Sequence, residues 1–172
     1  FTQHAGTPAL AQLVQLGPLL VWCLGQREKA VQVGALTLAE RILGTDPTLV
    51  AADLPALTAR ILGIAETALH EGVANALFDL YLLLAHAGAQ MTASVPRIVD
   101  AAAAAAKRNI LVRPALLQKA VLVVLAKAAE FAPALVAPHI GLMTHPDFFP
   151  AAALIRSSDL AALVVRNVGA LI

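Results

Sequence analysis

A proline-led segment recurs along the chain. Pro47-Thr-Leu-Val-Ala-Ala-Asp-Leu and Pro133-Ala-Leu-Val-Ala-Pro-His-Ile match at Pro, Leu, Val and Ala, 86 residues apart, or two periods of 43. Leu54-Pro55-Ala56-Leu57 is echoed 41 residues later by Val95-Pro96-Arg97-Ile98, and more loosely, 37 residues earlier, by Gly17-Pro18-Leu19-Leu20. A longer apolar stretch follows each copy: Ala30–Leu43, Val73–Ala85, Leu116–Phe131 and Leu160–Ile172. Like segments returning at such a period predict a fold built by stacking one unit on the next, each burying apolar faces against both neighbours.

The residue types predict that each unit is helical. Ala and Leu, among the best helix formers, dominate together with Val, and alternating Val/Ile/Thr stretches are absent. Thr7-Pro8, Asp46-Pro47 and Ala132-Pro133 put proline where a first helical turn begins, and Gly25, Gly44, Gly63 and Gly88 fall near helix ends. The pattern predicts helices near 8–16, 18–24, 27–43, 47–62, 66–87, 94–107, 114–131, 133–143 and 157–171.

Hydrophobic residues make up 59% of the 172-residue chain and charged residues 13%, a balance that excludes intrinsic disorder. One cysteine, Cys23, excludes a disulfide scaffold and reads as a buried hydrophobe among Val21, Trp22 and Leu24. A formal net charge of +1 leaves the chain as a whole without a nucleic-acid footprint. The mean hydropathy of +0.78 raises the question of a membrane span. A spanning helix needs about 20 nearly uncharged apolar residues. Gly17-Pro18 interrupts the stretch from Ala5 to Gln26; Asp79 and His86 bracket Leu80–Ala85; Lys119, Lys127 and Glu130 punctuate the apolar run before Phe131. The expectation is therefore a helical array without a membrane span. The chain begins Phe-Thr-Gln-His and ends on the apolar Val-Gly-Ala-Leu-Ile. It reads as a piece of a longer protein, with Val164–Ile172 continuing into further units or an adjoining domain.

A period of about 40–47 residues with two or three helices per unit resembles the armadillo/HEAT superfamily over residues 8–172. The resemblance implies one all-α domain, 1–172. Its fold would be a right-handed α-solenoid of about four units near 8–44, 45–88, 89–131 and 132–172. A short helix at 47–52 before a longer one is similar to the broken first helix of an armadillo unit. In that pattern the longer helices line a concave face, where an Asn in an Ala-Leu-x-Asn-Leu context holds the backbone of an extended peptide. Val164-Val165-Arg166-Asn167-Val168 resembles that context, and Ala76-Leu77-Phe78-Asp79-Leu80 carries Asp in the same slot. The corresponding slots around Leu36–Ala39 and Val123–Ala126 are without Asn, so the Asn ladder is mostly missing. The polar positions on otherwise apolar helices, Glu71, Asn75, Asp79, Lys119, Arg166 and Asn167, are the expected groove contacts.

Charge is uneven between units. Asp46, Asp53, Glu66, Glu71 and Asp79 face a single base, Arg60, whereas Arg97, Lys107, Arg108, Arg113, Lys119 and Lys127 face a single acid, Asp100. Lys107, Arg108 and Arg113 flank an inter-helix loop and form a candidate basic edge for an acidic partner. Solvation and helix C-terminal charge are the plainer account of the same residues. Trp22 reads as a core or interface residue. Tubulin-binding HEAT arrays carry Trp and bases in such loops, but the next unit's loop, Gly63–Thr67, carries Glu66 and no base.

His70-Glu71 resembles one metal-binding pair of HEAT-type di-iron hydroxylases, which need several such pairs; the chain has one. His139, His145 and Asp147 have no helical ligand spacing. No phosphate loop or nucleophile elbow occurs. The expectation is a cytoplasmic, non-catalytic protein–protein scaffold without cofactor. Its expected partners are an acidic or helical protein segment and the rest of its own parent chain, not nucleic acid or membrane. A cytoskeletal or ciliary, tubulin-associated assembly component is the alternative, and a metal-dependent HEAT enzyme a third.

Overall fold

A computed structural model describes residues 15–108 and 115–143, together with 162, 165–167 and 169. All of its regular structure among these residues is helical. Helix α1 (Leu16–Leu24) carries Gly17-Pro18 in its first turn, where proline has no hydrogen bond to lose, so that dipeptide starts the helix and does not interrupt it. Helix α2 spans Lys29–Thr45. Asp46 then accepts the Thr48 amide at 3.1 Å and caps a 3-10 segment, Pro47–Asp53, which runs into α3 (Leu54–Thr67). Helix α4 (Gly72–Ala87) begins where His70 Nδ1 accepts the Gly72 amide at 3.0 Å. A second 3-10 segment, Gly88–Ser94, leads into α5 (Val95–Arg108). Helix α6 follows at Ala115–Ala128, and two short turns, α7 (Pro133–Val136) and α8 (Ile140–Met143), are joined by a 3-10 turn. The predicted helix at 8–16 lies outside the described residues except for its last two positions. Of 157–171, the described positions 162, 165–167 and 169 are helical.

Packing sorts the long helices into two rows. Helix α3 packs between α1 and α5, and α4 packs between α2 and α6. The rows are tied across by α1 with α2, α3 with α4, and α5 with α6. Helix α4 is therefore enclosed on three sides. Leu77, Leu80, Leu83 and Leu84 on it are fully buried, beside Leu36 and Leu43 of α2, Ile61 and Ala65 of α3, and Val121–Ala126 of α6. A helix apolar around most of its circumference belongs in such a position.

This enclosure accounts for the hydropathy of the core helices, but two stretches do pass a span test by length and composition. Pro47–Thr67 has a mean hydropathy of 1.4 and Gly72–Lys107 of 1.3, contrary to the expectation that charges interrupt every such window. Each contains a 3-10 segment, and most of the longer stretch is buried among neighbouring helices.

The alanine run of α5 lies where that helix meets both α3 and α6. Ala101, Ala102, Ala103, Ala105 and Ala106 are buried, and Ala104 is exposed. The run as a whole predicts a tight contact at Ala103 and Ala104 alike; the helical turn instead rotates Ala104 to solvent. Ala103→Leu is expected to cost about 1–3 kcal/mol by overpacking. Ala104→Leu is expected to change stability by no more than about 0.5 kcal/mol. Urea unfolding of both variants measures the contrast.

Candidate functional site

On the outer side of the α2–α4–α6 row is a recess of about 270 Å³. Thr37 and Glu40 come from α2, Asn75 and Phe78 from α4, and Leu116 and Lys119 from α6, with Ala74 and Ala120 completing its lining. Each helix contributes a pair three residues apart, which places both members on one face. Phe78 packs against Tyr81 with ring centroids 5.4 Å apart, which fixes its position in the wall. Glu40, Asn75 and Lys119 are half-buried, and none of their side chains makes a hydrogen bond or ion pair among the described residues. The arrangement is a mostly apolar depression with a carboxylate over α2, an amide over α4 and an ammonium over α6.

A second recess, about 320 Å³, opens on the other row between α3 and the two 3-10 segments, lined among others by Thr58, Met91 and Arg97. Its cation is already engaged: Arg97 donates from Nε and Nη2 to the two Glu66 oxygens at 3.1 and 2.8 Å. The α2–α4–α6 recess is the one whose charged groups are left open.

Of the expected groove contacts, Asn75 and Lys119 are brought together there. Asp79 is not a contact. It is 0% exposed at the α2–α4 side of its helix, and neither carboxyl oxygen has a hydrogen-bond partner. Burial, with a smaller contribution from the Glu40 charge, pushes its carboxyl up to about 9, so it is neutral at pH 7. Glu71 lies at the N-terminal edge of α4, in an exposed 2.9 Å ion pair with Lys29. The hydrogen bond from Lys29 is the main cause holding its carboxyl below the ordinary value.

Asn167 is also buried and therefore not open to a peptide. Its Nδ2 donates to the Ala126 carbonyl at 2.8 Å and to Glu130 Oε1 at 3.1 Å, tying the C-terminal helical residues to the end of α6. Arg166 joins the same cluster through Glu130 at 3.2 Å, and Lys127 reaches Glu130 at 2.6 Å. Burial alone raises the Glu130 carboxyl, but the hydrogen bonds from Lys127 and Asn167 and the charges of Lys127 and Arg166 outweigh it and hold it below the ordinary value.

The expected basic edge is dispersed. Lys107 is exposed on the last turn of α5, the Arg108 side chain and Arg113 lie outside the described residues, and Arg97 and Lys127 are paired with carboxylates. Trp22 is not in the core: it is 62% exposed, because Leu20 and Leu24 turn the opposite side of α1 inward. Cys23 is half-buried against the core. His70 accepts the first amide of α4, and no group of three His, Cys, Asp or Glu gathers among the described residues. His139 lies in the 3-10 turn, and His145 and Asp147 lie outside the described residues.

No protein-family model matches the chain, and comparison with curated proteins and with solved structures finds no similar protein.

Proposed function

We propose that the chain is a non-catalytic interaction scaffold, a right-handed α-solenoid of armadillo/HEAT-like units whose α2–α4–α6 row forms the wall that a partner protein contacts. The recurrence of buried positions supports the architecture. Leu20, Leu24, Leu36, Ile42 and Leu43 are buried, and so are Ile61, Ala65, Leu77, Leu83 and Leu84, each 41 residues further on. Val50, Leu57 and Ile61 stand in the same relation to Met91, Ile98 and Ala102. A 3-10 segment followed by a helix with proline in its first turn occurs at both Pro47–Thr67 and Gly88–Arg108. Stacked units of one design need equivalent positions buried in each.

The observation that carries the function is the set of unengaged polar groups, Glu40, Asn75 and Lys119, in an apolar recess spanning three helices. Half-buried polar groups without protein partners keep water as a partner and can exchange it for the hydrogen bonds of a ligand. An apolar centre with a polar margin is the anatomy of a protein interface. A photo-reactive residue placed at Thr37 or at Leu116, both at the recess, is expected to cross-link a discrete protein in native lysate. The same residue at Ala56, exposed on α3, is expected not to. Identical products from all three positions, or none from the recess, would overturn the proposal.

A further inference from the structure

The charges of the recess specify what kind of segment it takes. Glu40 stands on α2 and Lys119 on α6, with Asn75 of α4 between them. Asp79 beside Glu40 is neutral at pH 7, so Glu40 alone makes the α2 side acidic, while Lys119 makes the α6 side basic. Neither Glu40 nor Lys119 is neutralised by a neighbour among the described residues. The floor between them, Ala74, Phe78 and Ala120 with Leu116 at the rim, is apolar. A ligand matching this order has a positive end, an apolar middle and a negative end.

Geometry then separates a small zwitterion from a peptide. Packed helices lie about 8–10 Å apart axis to axis, so α2 and α6, with α4 between them, are roughly 16–20 Å apart. A free amino acid, with both charges on a single carbon, matches charges carried on two separated helices less well than a chain whose charges are set apart. An extended chain advances about 3.3 Å per residue, so roughly five residues bridge the span once side chains reach inward. The limited volume favours one apolar anchor rather than the face of a helix.

Resting on the scaffold reading above, we infer that the recess selects a short extended peptide segment. An apolar anchor residue seats on Phe78, a basic residue flanks it over Glu40, and an acidic residue flanks it over Lys119. The Asn75 amide is placed to bond the backbone of the anchor.

The test uses three capped, fluorescein-labelled pentapeptides on the full chain: Arg-Ala-Leu-Ala-Glu, Arg-Ala-Leu-Ala-Arg and Glu-Ala-Leu-Ala-Glu. Fluorescence anisotropy is expected to rank the mixed-charge peptide about fivefold or more above the other two. Lys119→Glu is expected to transfer that preference to the dibasic peptide and Glu40→Lys to the diacidic one. Glu40→Gln and Lys119→Gln, which perturb folding less, are each expected to erase the preference for one partner charge. Equal affinities in the wild type, no binding of any peptide, or an unchanged ranking in the variants overturns the inference. The cross-links at Thr37 and Leu116 then report separately whether the docking face itself stands.

Discussion

Asp79→Leu is expected to make the protein more stable, by about 1–3 kcal/mol near pH 4, the usual cost of a buried neutral polar group without a partner, and by more at pH 7. The carboxyl is fully buried with both oxygens unpartnered, in a helix packed on three sides. Its titration gives the effect a distinctive pH dependence. From an ordinary value of 3.8, burial first and the Glu40 charge second drive it to about 9 in the folded state. Between those values the unfolded chain has released the proton and the folded chain retains it. The unfolded state therefore binds fewer protons, and stability falls as pH rises, by at most about 1.4 kcal/mol per pH unit for this one group. The contribution is complete below about pH 4 and lost by about pH 9. Urea unfolding at pH 5, 7 and 9 measures it. The wild-type midpoint is expected to fall along the series. Asp79→Asn, close in shape, is expected to lose that slope, and Asp79→Leu to lose it and stand highest at pH 9. A wild-type midpoint that does not fall, together with a less stable leucine variant, would mean that the carboxyl has a partner and is ionised.

The same residue shows where sequence reasoning about the site reaches its limit. Asp79 occupies the slot that an armadillo-type pattern gives to a peptide-binding Asn, and its polarity makes it a natural groove candidate. Rotation about the helix decides otherwise. Asn75 and Phe78 lie on the open face of α4, and Asp79 is turned toward the α2 side and buried. Thr37 and Glu40 were legible in principle, because their spacing matches Asn75 with Phe78 and Leu116 with Lys119. What hid them is that a spacing of three on a single helix is ordinary, and it gains meaning only once α2, α4 and α6 are known to lie side by side. Element positions were far more legible. Asp46-Pro47 and Ala132-Pro133 mark helix starts through local chemistry that needs no tertiary context, and each begins a helical segment where expected. The charged residues were least legible. Glu66 with Arg97 and Glu71 with Lys29 join segments 31 and 42 residues apart, so a count of acids and bases by unit misses that they neutralise one another across units.

Leu77→Ala is expected to be the most damaging single truncation, costing about 2–5 kcal/mol, and the way the loss spreads tests the architecture. Leu77 is fully buried on α4, the helix that packs against α2, α3 and α6 together. Removing its side chain leaves a cavity that none of the three neighbours can fill without moving away from another. Leu69→Ala, 90% exposed in the preceding turn, is the control and is expected to be nearly neutral. Amide hydrogen exchange then separates a stacked array from a bundle with one shared core. In an array each unit is held only by its neighbours, so damage at one end stays there. Leu24→Ala on α1 is expected to accelerate exchange in α1, α2 and α3 while leaving α6 protected; Leu77→Ala, in the middle, is expected to accelerate it on both sides. If Leu24→Ala lowers protection equally in α1 and α6, the chain unfolds as one unit. The 41-residue recurrence of buried positions would then describe its ancestry rather than its present energetics.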